Sequence, residues 1–250
     1  MRGSFLASPF AVARASWDRF MNSLLLAECR RKGMSIGTAC RVAGRPRIYI
    51  TAGAKVECGD GVLLNSLPCG YHAGMSYPVT ILADRPCACI QIGAESRRHG
   101  CCIHAWLGIT IGKRCLFAAG SQVLDAHGHS AALEHSRFRH KLQDVPAPVS
   151  IGDSCWLCLG SLVLKGAQIG EGCIIAPYSV VRAGVYPAHS LLAGSPARVV
   201  RTIPEDAVLA ADYPHPLLKP PSSRLSFSFL ASRPSAPPKK NRQCHRWGQR

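Results

Sequence analysis

The 250-residue sequence is poor in aromatic side chains, which make up 7% of it, and it has no long apolar run. No apolar stretch approaches the roughly 20 residues that a membrane-spanning helix needs, so no such span is predicted. Acidic residues are missing after Asp212, and the net charge of +16 is concentrated near the two ends of the chain. The nearly neutral middle argues against a core that binds nucleic acid specifically, while the basic ends could contact acidic surfaces.

A closed cysteine framework is also missing. The thirteen cysteines are an odd number, and the single CxxC pair, Cys155 and Cys158, has no second pair at zinc-site spacing. A chain of this length does not need disulfides to fold. We therefore expect free thiols in a reducing compartment, the cytoplasm, and interpret residues 1–16 as an N-terminal extension and not a signal peptide.

The sequence does contain a period of six. From Ile151 onward the first residue of each six is aliphatic, and the fifth is small in the first five units. The same frame begins upstream at Ile111, with fragments at Ile36 and Ile92. Neither the helical period nor simple strand alternation produces this pattern. The six consecutive aliphatic positions are Ile151, Leu157, Val163, Ile169, Ile175 and Val181.

This repeat predicts a parallel β-helix, in which each unit is one short strand and a tight corner and three units close a triangular coil. The aliphatic residues should fill the interior, with Ile151, Leu157 and Val163 pointing inward on three successive walls. Arg98 occupies an aliphatic position of the frame. Because an unpaired buried guanidinium is costly, we expect a local shift of register there. Four cysteines fall at the small fifth position and should be compact and buried: Cys40, Cys115, Cys155 and Cys173.

These patterns predict that the chain is divided into three parts. Residues 1–33 form an extension and an amphipathic helix over 15–33, capped by Ser16, that covers the open end of the solenoid. Residues 34–203 form the β-helix, which predicted loops at 66–89 and 130–148 interrupt. Residues 204–250 form a short helix and a basic, proline-rich tail whose composition predicts disorder.

The ordered repeats, the stretch LDAHGHS at 124–130 before a loop, and LLAGSPARVV at 191–200 resemble the hexapeptide-repeat acyltransferases. The resemblance covers about residues 33–203 and is strongest to the maltose, galactoside and polysaccharide O-acetyltransferases. It implies a left-handed β-helix, a homotrimer, acetyl-CoA as donor, no metal, and a hydroxyl group as acceptor. The left hand comes from the resemblance alone, because parallel crossovers are usually right-handed.

The resemblance places the general base at His129. A neutral imidazole has an unperturbed pKa of about 6.5, so it can take a proton from an attacking hydroxyl near neutral pH. Asp125 is a candidate to hold one ring nitrogen of a histidine and fix its tautomer. His127 stands where relatives often have Asp or Asn, and its role is left open.

The resemblance also places coenzyme A along one flank of the solenoid, between two subunits. Ala118, Leu159 and Pro177 match positions whose backbone touches the pantetheine arm. Arg182 and Ala183 match a pair often written Thr-Lys. Basic side chains near the phosphates are matched by Arg198 and Arg201, and the forked guanidinium suits phosphate well.

Asn65, Tyr71 and His72 are the candidate acceptor-binding residues, because the loops must shape any pocket beside the groove. By family analogy the acceptor is a sugar or a polysaccharide precursor, acetylated directly in a ternary complex. Two alternatives remain open. One is a non-catalytic β-helix scaffold, and the other is a zinc enzyme resembling the gamma-class carbonic anhydrases, with ligands among His104, His127 and His129.

Overall fold

A computed structural model describes residues 9–206, with side-chain detail from Ser16 onward. Successive strands enter three sheets in turn, so that each coil adds one strand to every sheet. All strand pairs are parallel except the last, in which β20 and β21 are antiparallel. The architecture is the predicted left-handed parallel β-helix. No helix within the described residues is long and apolar enough to cross a membrane.

The three sheets form the walls of a prism, and every wall takes each third strand along the chain. Sheet A contains β1 (Met34–Ile36), β4 (Lys55–Cys58), β7 (Cys89–Ile92), β10 (Gly108–Ile111), β13 (Val149–Ile151), β16 (Ala167–Ile169) and β19 (Gly184–Tyr186). Sheet B contains β2 (Arg41–Ala43), β5 (Leu63–Asn65), β8 (Arg97–His99), β11 (Leu116–Phe117), β14 (Trp156–Leu157), β17 (Ile174–Ile175), β20 (Ser190–Gly194) and β21 (Ala197–Thr202). Sheet C contains β3 (Arg47–Ile50), β6 (Thr80–Ala83), β9 (Cys102–Ala105), β12 (Gln122–Leu124), β15 (Leu162–Val163) and β18 (Val180–Val181).

The interior of the prism is filled by the aliphatic residue of each unit. Ile151 lies on sheet A, Leu157 on sheet B and Val163 on sheet C, and all three are buried. This confirms the predicted inward positions on three successive walls. Burial of each such side chain contributes about 1.5–3 kcal/mol relative to exposure, so the repeated aliphatic column is the main source of stability.

The A–B corner, where the chain passes from sheet A to sheet B, is closed by the small fifth residue of the repeat. The thiols of Cys115, Cys155 and Cys173 are buried, and each donates to a backbone carbonyl oxygen of the next coil at 3.1–3.2 Å. Glycine is needed where coils approach closely: a Cβ added to Gly152 would lie 2.5 Å from the backbone nitrogen of Glu171. The predicted buried role of these cysteines is confirmed.

Helix α1 (Pro9–Arg31) covers the first coil. Leu25 and Cys29 are buried against the core, and the Asn22 side chain accepts from the Val42 backbone N–H at 2.7 Å. The helix therefore satisfies part of the open edge of β2, as expected for a solenoid cap. Its predicted start was wrong: it begins at Pro9, a residue suited to a first helical turn, so Ser16 lies inside it.

Arg98 points into the prism and is completely buried. The predicted register shift was wrong, because Arg98 pairs in phase with Leu64 on one side and Phe117 on the other. Its guanidinium carbon lies 3.9 Å from the centre of the Phe117 ring, and Nη1 donates to the Cys115 carbonyl oxygen at 3.4 Å. Nε and Nη2 have no partner among the described residues, and burial lowers the pKa of the guanidinium.

Two segments differ from the predicted boundaries. The first excursion is shorter than 66–89, because residues 80–83 form β6 with Ile81 inside the core. Prolines on both sides of this strand, Pro78 and Pro86, had hidden it in the sequence. The predicted tail and most of the short helix before it lie in residues 207–250, outside the described residues.

Candidate functional site

His129 lies in an excursion that leaves the solenoid after β12 and returns at β13, on the C–A corner. Its side chain is exposed, and Nδ1 lies 3.0 Å from the backbone carbonyl oxygen of Arg139. A carbonyl oxygen can only accept, so Nδ1 must carry the hydrogen in this bond. In the neutral ring Nε2 then holds the free lone pair, which is the state that a general base requires.

Arg139 organises the excursion around this ring. Its guanidinium donates from Nε to the carbonyl oxygen of Ser130 at 2.9 Å and from Nη2 to that of Ala132 at 3.0 Å. The backbone N–H of Ser130 bonds back to Leu142 at 3.1 Å. These contacts hold the Arg139 carbonyl in place beneath His129. The sequence had singled out neither Arg139 nor its role.

His127 contacts Asp144 near the return of the same excursion. The His127 backbone N–H donates to Oδ2 of Asp144 at 2.7 Å, and its ring Nδ1 lies 3.8 Å from the same oxygen. Lys165 Nζ donates to the other carboxylate oxygen and to the Val145 carbonyl oxygen. Burial opposes ionisation of Asp144, but the hydrogen bonds from Lys165 and His127 outweigh it and lower its pKa.

Asp125 is fully buried, and its carboxylate makes no hydrogen bond to a histidine ring among the described residues. Its carboxylate accepts three backbone N–H groups, from Trp106, Leu107 and Gly108, at 2.7–2.8 Å. The predicted contact between Asp125 and a histidine ring was therefore wrong. Three backbone donors to one carboxylate instead fix the preceding C–A turn, one coil above the excursion.

The predicted acceptor-binding residues do lie together, on the B–C corner. Asn65 ends β5, and the excursion that follows brings Tyr71 and His72 back over the corner, with their ring centres 4.6 Å apart. Tyr71 stacks on His99 at 4.8 Å with an interplanar angle of 17°, and its hydroxyl lies 3.4 Å from the Ala119 backbone nitrogen. His99 completes this cluster and was missed in the sequence.

The predicted coenzyme A residues are divided among separate regions. Ala118 is buried at the B–C corner, and Leu159 and Pro177 lie one residue further along that corner in the next two coils. Arg182 and Ala183 follow β18 on the C–A corner and are exposed. The remaining two, Arg198 and Arg201, are exposed on β21 at the end of sheet B.

A groove of about 390 Å³ lies beside β21. Arg201 lines it together with Arg114, near the apolar side chains of Ile174, Leu191 and Ile203. This groove is on the A–B side of the prism, away from the corner that carries His129. It therefore does not unite the predicted phosphate contacts with the predicted base in one protomer.

The zinc alternative takes its candidate ligands from His104, His127 and His129, some of them shared across subunits. His104 instead faces Asp84, with Nε2 3.0 Å from Oδ2, and packs edge-on against Trp106. His127 and His129 make the separate contacts described above. No group of three or more metal-ligating side chains occurs within residues 9–206 of one protomer.

Three walls of stacked short strands, with an aliphatic residue inward in most units, define a β-helix protein built from hexapeptide repeats. Residues 148–183 match the family described as bacterial transferase hexapeptide (six repeats). The suspected resemblance to hexapeptide-repeat acetyltransferases is thereby confirmed, and it extends to curated proteins and to solved structures.

A probable acetyltransferase of Mycobacterium tuberculosis is 31% identical over 109 residues, which are 40% of this chain and 32% of that protein. A putative acetyltransferase of Staphylococcus aureus is 34% identical over 108 residues, 39% of this chain and 54% of that protein. The chain thus spans about half the length, or less, of these curated relatives.

Among solved structures, the chain resembles the N-acyltransferase AntD from Bacillus cereus, determined as a mutant in complex with dTDP and coenzyme A. The match has a TM-score of 0.53 and 14% identity, and it covers 73% of this chain and 91% of the other. At this identity the likeness supports the fold alone.

Proposed function

We propose that the protein is an acetyl-CoA-dependent O-acetyltransferase that modifies a hydroxyl group of a sugar or polysaccharide precursor. The observation that carries this proposal is the bond from His129 Nδ1 to the Arg139 carbonyl oxygen. In the neutral ring it leaves the free lone pair on Nε2 of an exposed side chain, which suits a base that must reach a bound substrate. The curated acetyltransferases to which the chain is similar support the same reaction class.

In the proposed reaction, acetyl-CoA and the acceptor bind together. Nε2 of His129 takes the hydroxyl proton as the oxygen attacks the thioester carbonyl carbon. The tetrahedral intermediate then collapses, the carbon–sulfur bond breaks, and the imidazolium returns the proton to the leaving thiolate. Backbone N–H groups at a corner are the proposed donors to the oxyanion. No covalent acetyl-enzyme is needed, because the thioester is already an activated donor.

The predicted contacts with the acyl carrier lie in separate regions, and we propose that each binds a different part of it. Ala118, Leu159 and Pro177 present backbone at the B–C corner, where the pantetheine arm needs only main-chain contact. The guanidinium groups of Arg198 and Arg201 are proposed to bind phosphate, which they can do through paired donors. Arg182 and Ala183 are proposed to contact the carrier from the C–A corner.

A homotrimer would bring the proposed base and the acceptor cluster together. Within one protomer His129 lies on the C–A corner, while the acceptor cluster of Asn65, Tyr71 and His72 lies on the B–C corner. In a threefold assembly the C–A corner of one protomer can face the B–C corner of its neighbour. We further propose a cytoplasmic location, which agrees with free thiols at every cysteine within the described residues.

The proposal is tested by incubating the purified protein with acetyl-CoA and a panel of free sugars, and measuring the thiol released. We expect His129→Ala to lower kcat by about 10²–10⁴, the usual contribution of a general base. His140→Ala, which removes an exposed histidine from the same excursion, is the matched control and should retain wild-type turnover. Wild-type kcat in His129→Ala, with an unchanged oligomer by light scattering, would refute the assigned base.

A further inference from the structure

A second histidine, His99, is held in a defined tautomer at the acceptor cluster. His99 and Asn65 are paired residues of neighbouring strands β8 and β5, and Asn65 Nδ2 lies 3.1 Å from His99 Nδ1. The two ends of the Asn65 amide can be told apart because the Leu67 backbone N–H donates to Oδ1 at 3.0 Å. An N–H group can only donate, so the atom facing Leu67 must be the oxygen.

The amide nitrogen of Asn65 therefore faces the His99 ring. An amide NH₂ group only donates, so His99 Nδ1 must be the acceptor and carries no hydrogen. In the neutral ring the hydrogen then sits on Nε2. Burial, and then the charges of Arg97 and His72, lower the pKa of His99, so the neutral form is favoured. This tautomer is the opposite of that of His129, whose Nδ1 donates to a carbonyl.

The Nε2–H group of His99 is available to a ligand. The only hydrogen bond of the His99 ring to a described residue is the one at Nδ1, so Nε2 has no partner there. Nε2 is also not among the fully buried polar atoms without a partner. The His99 side chain itself is half-buried at the B–C corner. Tyr71 stacks on the ring and fixes its plane. Arg98 and Phe117 are paired residues of the neighbouring strands β8 and β11. The residues that follow them, His99 and Ala118, therefore lie at the same corner in successive coils.

We propose that His99 determines acceptor specificity by donating a hydrogen bond from Nε2 to an oxygen atom of the sugar, with Asn65 as the positioning residue that sets its tautomer. This inference rests on the proposed function and extends it, since it requires an acceptor with an oxygen beyond the reacting hydroxyl. A carbohydrate meets this requirement. His129 accepts the proton of the reacting hydroxyl, whereas His99 donates a hydrogen bond to another oxygen and keeps its hydrogen, so the two rings have complementary roles on the two corners.

The tautomers can be read directly from the ring nitrogens by long-range ¹H–¹⁵N spectroscopy on protein labelled at histidine. We expect the hydrogen on Nε2 of His99 and on Nδ1 of His129, each assigned from the signals lost in His99→Phe and His129→Ala. Asn65→Asp replaces the donor by an acceptor and should move the His99 hydrogen to Nδ1. A hydrogen on Nδ1 of His99 in the wild-type protein would overturn the inference.

The functional arm compares two substitutions. His99→Phe keeps an aromatic ring against Tyr71 but has no donor, and we expect the KM for the best sugar of the panel to rise about tenfold, a usual effect of one lost hydrogen bond. His99→Gln restores an N–H near the position of Nε2 and should recover most of this loss. The change should fall on the KM for the sugar more than on that for acetyl-CoA.

His140→Phe is the matched control and should leave both KM values unchanged. If the wild-type protein acetylates a sugar and His99→Phe has the same KM for it, this inference fails while the proposed function stands. If the wild-type protein acetylates no sugar of the panel, the proposed function fails and the role of His99 in acceptor binding fails with it.

Discussion

The chain turns from one sheet to the next at both the A–B and the C–A corner, but different side chains stabilise the two turns. At the A–B corner each coil turns with a small buried residue, and cysteine thiols bond to the backbone of the next coil. At the C–A corner the turn at Trp106–Gly108 is held by one buried carboxylate, and the next coil opens into the excursion that carries His129. The repeat therefore specifies the regular corner, whereas charged and polar side chains that do not follow the repeat support the corner with the candidate chemistry.

The largest expected loss of stability comes from a substitution at the C–A corner. Asp125→Asn keeps the shape of the side chain but turns one acceptor oxygen into a donor that faces a backbone N–H. We expect the free energy of unfolding to fall by about 3 kcal/mol, because a buried donor loses a charge-assisted partner. Chemical denaturation followed by circular dichroism measures this change.

The matched control lies at the A–B corner. Asp153 accepts from the Lys113 backbone N–H at 2.9 Å, but its side chain is 37% exposed. Asp153→Asn should therefore cost about 1 kcal/mol or less, because water can replace the lost bond. Equal losses in the two variants would contradict the contrast between the corners.

The next effect concerns the interior face of sheet B, which begins at the A–B corner. Arg98→Leu replaces a buried, poorly paired guanidinium by the aliphatic residue that the repeat predicts. The cation–π contact with Phe117 contributes less energy than burying the guanidinium costs. We therefore expect the free energy of unfolding to rise by about 2 kcal/mol. Arg97→Leu, at the exposed neighbouring position, should give no such gain. A less stable Arg98→Leu would mean that the cation contributes to the core.

The smallest expected effect concerns the return of the excursion. The pKa of Asp144 is lowered in the folded protein, so its ionisation stabilises the fold above the unfolded value of about 3.9. This contribution is lost as the pH falls through the lower folded pKa. We expect Asp144→Asn to be about 1 kcal/mol less stable than wild type at neutral pH, with the difference shrinking below about pH 4.

Glu134→Gln is the control for this measurement, because Glu134 is an exposed acid of the same excursion with no ion pair among the described residues. Its stability should follow the wild-type pH dependence throughout. A difference between Asp144→Asn and wild type that stays constant from neutral pH to pH 3 would exclude the carboxylate as its source.

The contrast between corners also explains what the sequence could and could not predict. The period of six depends only on which residues point inward, so the aliphatic column and the corner cysteines are readable without coordinates. Arg98 stayed in phase because hydrogen bonding between coils fixes the register, and one unfavourable side chain does not outweigh that ladder. The role of Asp125 was not readable, because its partners are backbone groups one coil above.

The candidate site divides in the same way. His129 is marked in the sequence by the motif that precedes an excursion, but the carbonyl that fixes its tautomer belongs to Arg139 and depends on how the excursion folds. Asn65, Tyr71 and His72 were found from the position of their loop. His99 was missed because it lies inside a regular strand. Its one signal is that it occupies the same place in its coil as Asn65, once the intervening excursion is removed.

The antiparallel pairing of β20 and β21 affects whether a second chain can stack on the last coil. A solenoid made of self-stacking units offers its last coil as a template for another chain, which is a route to open-ended fibres. Because β21 runs against the direction of every preceding strand, a further parallel coil cannot continue sheet B from this end. The hairpin thus limits polymerisation through that wall.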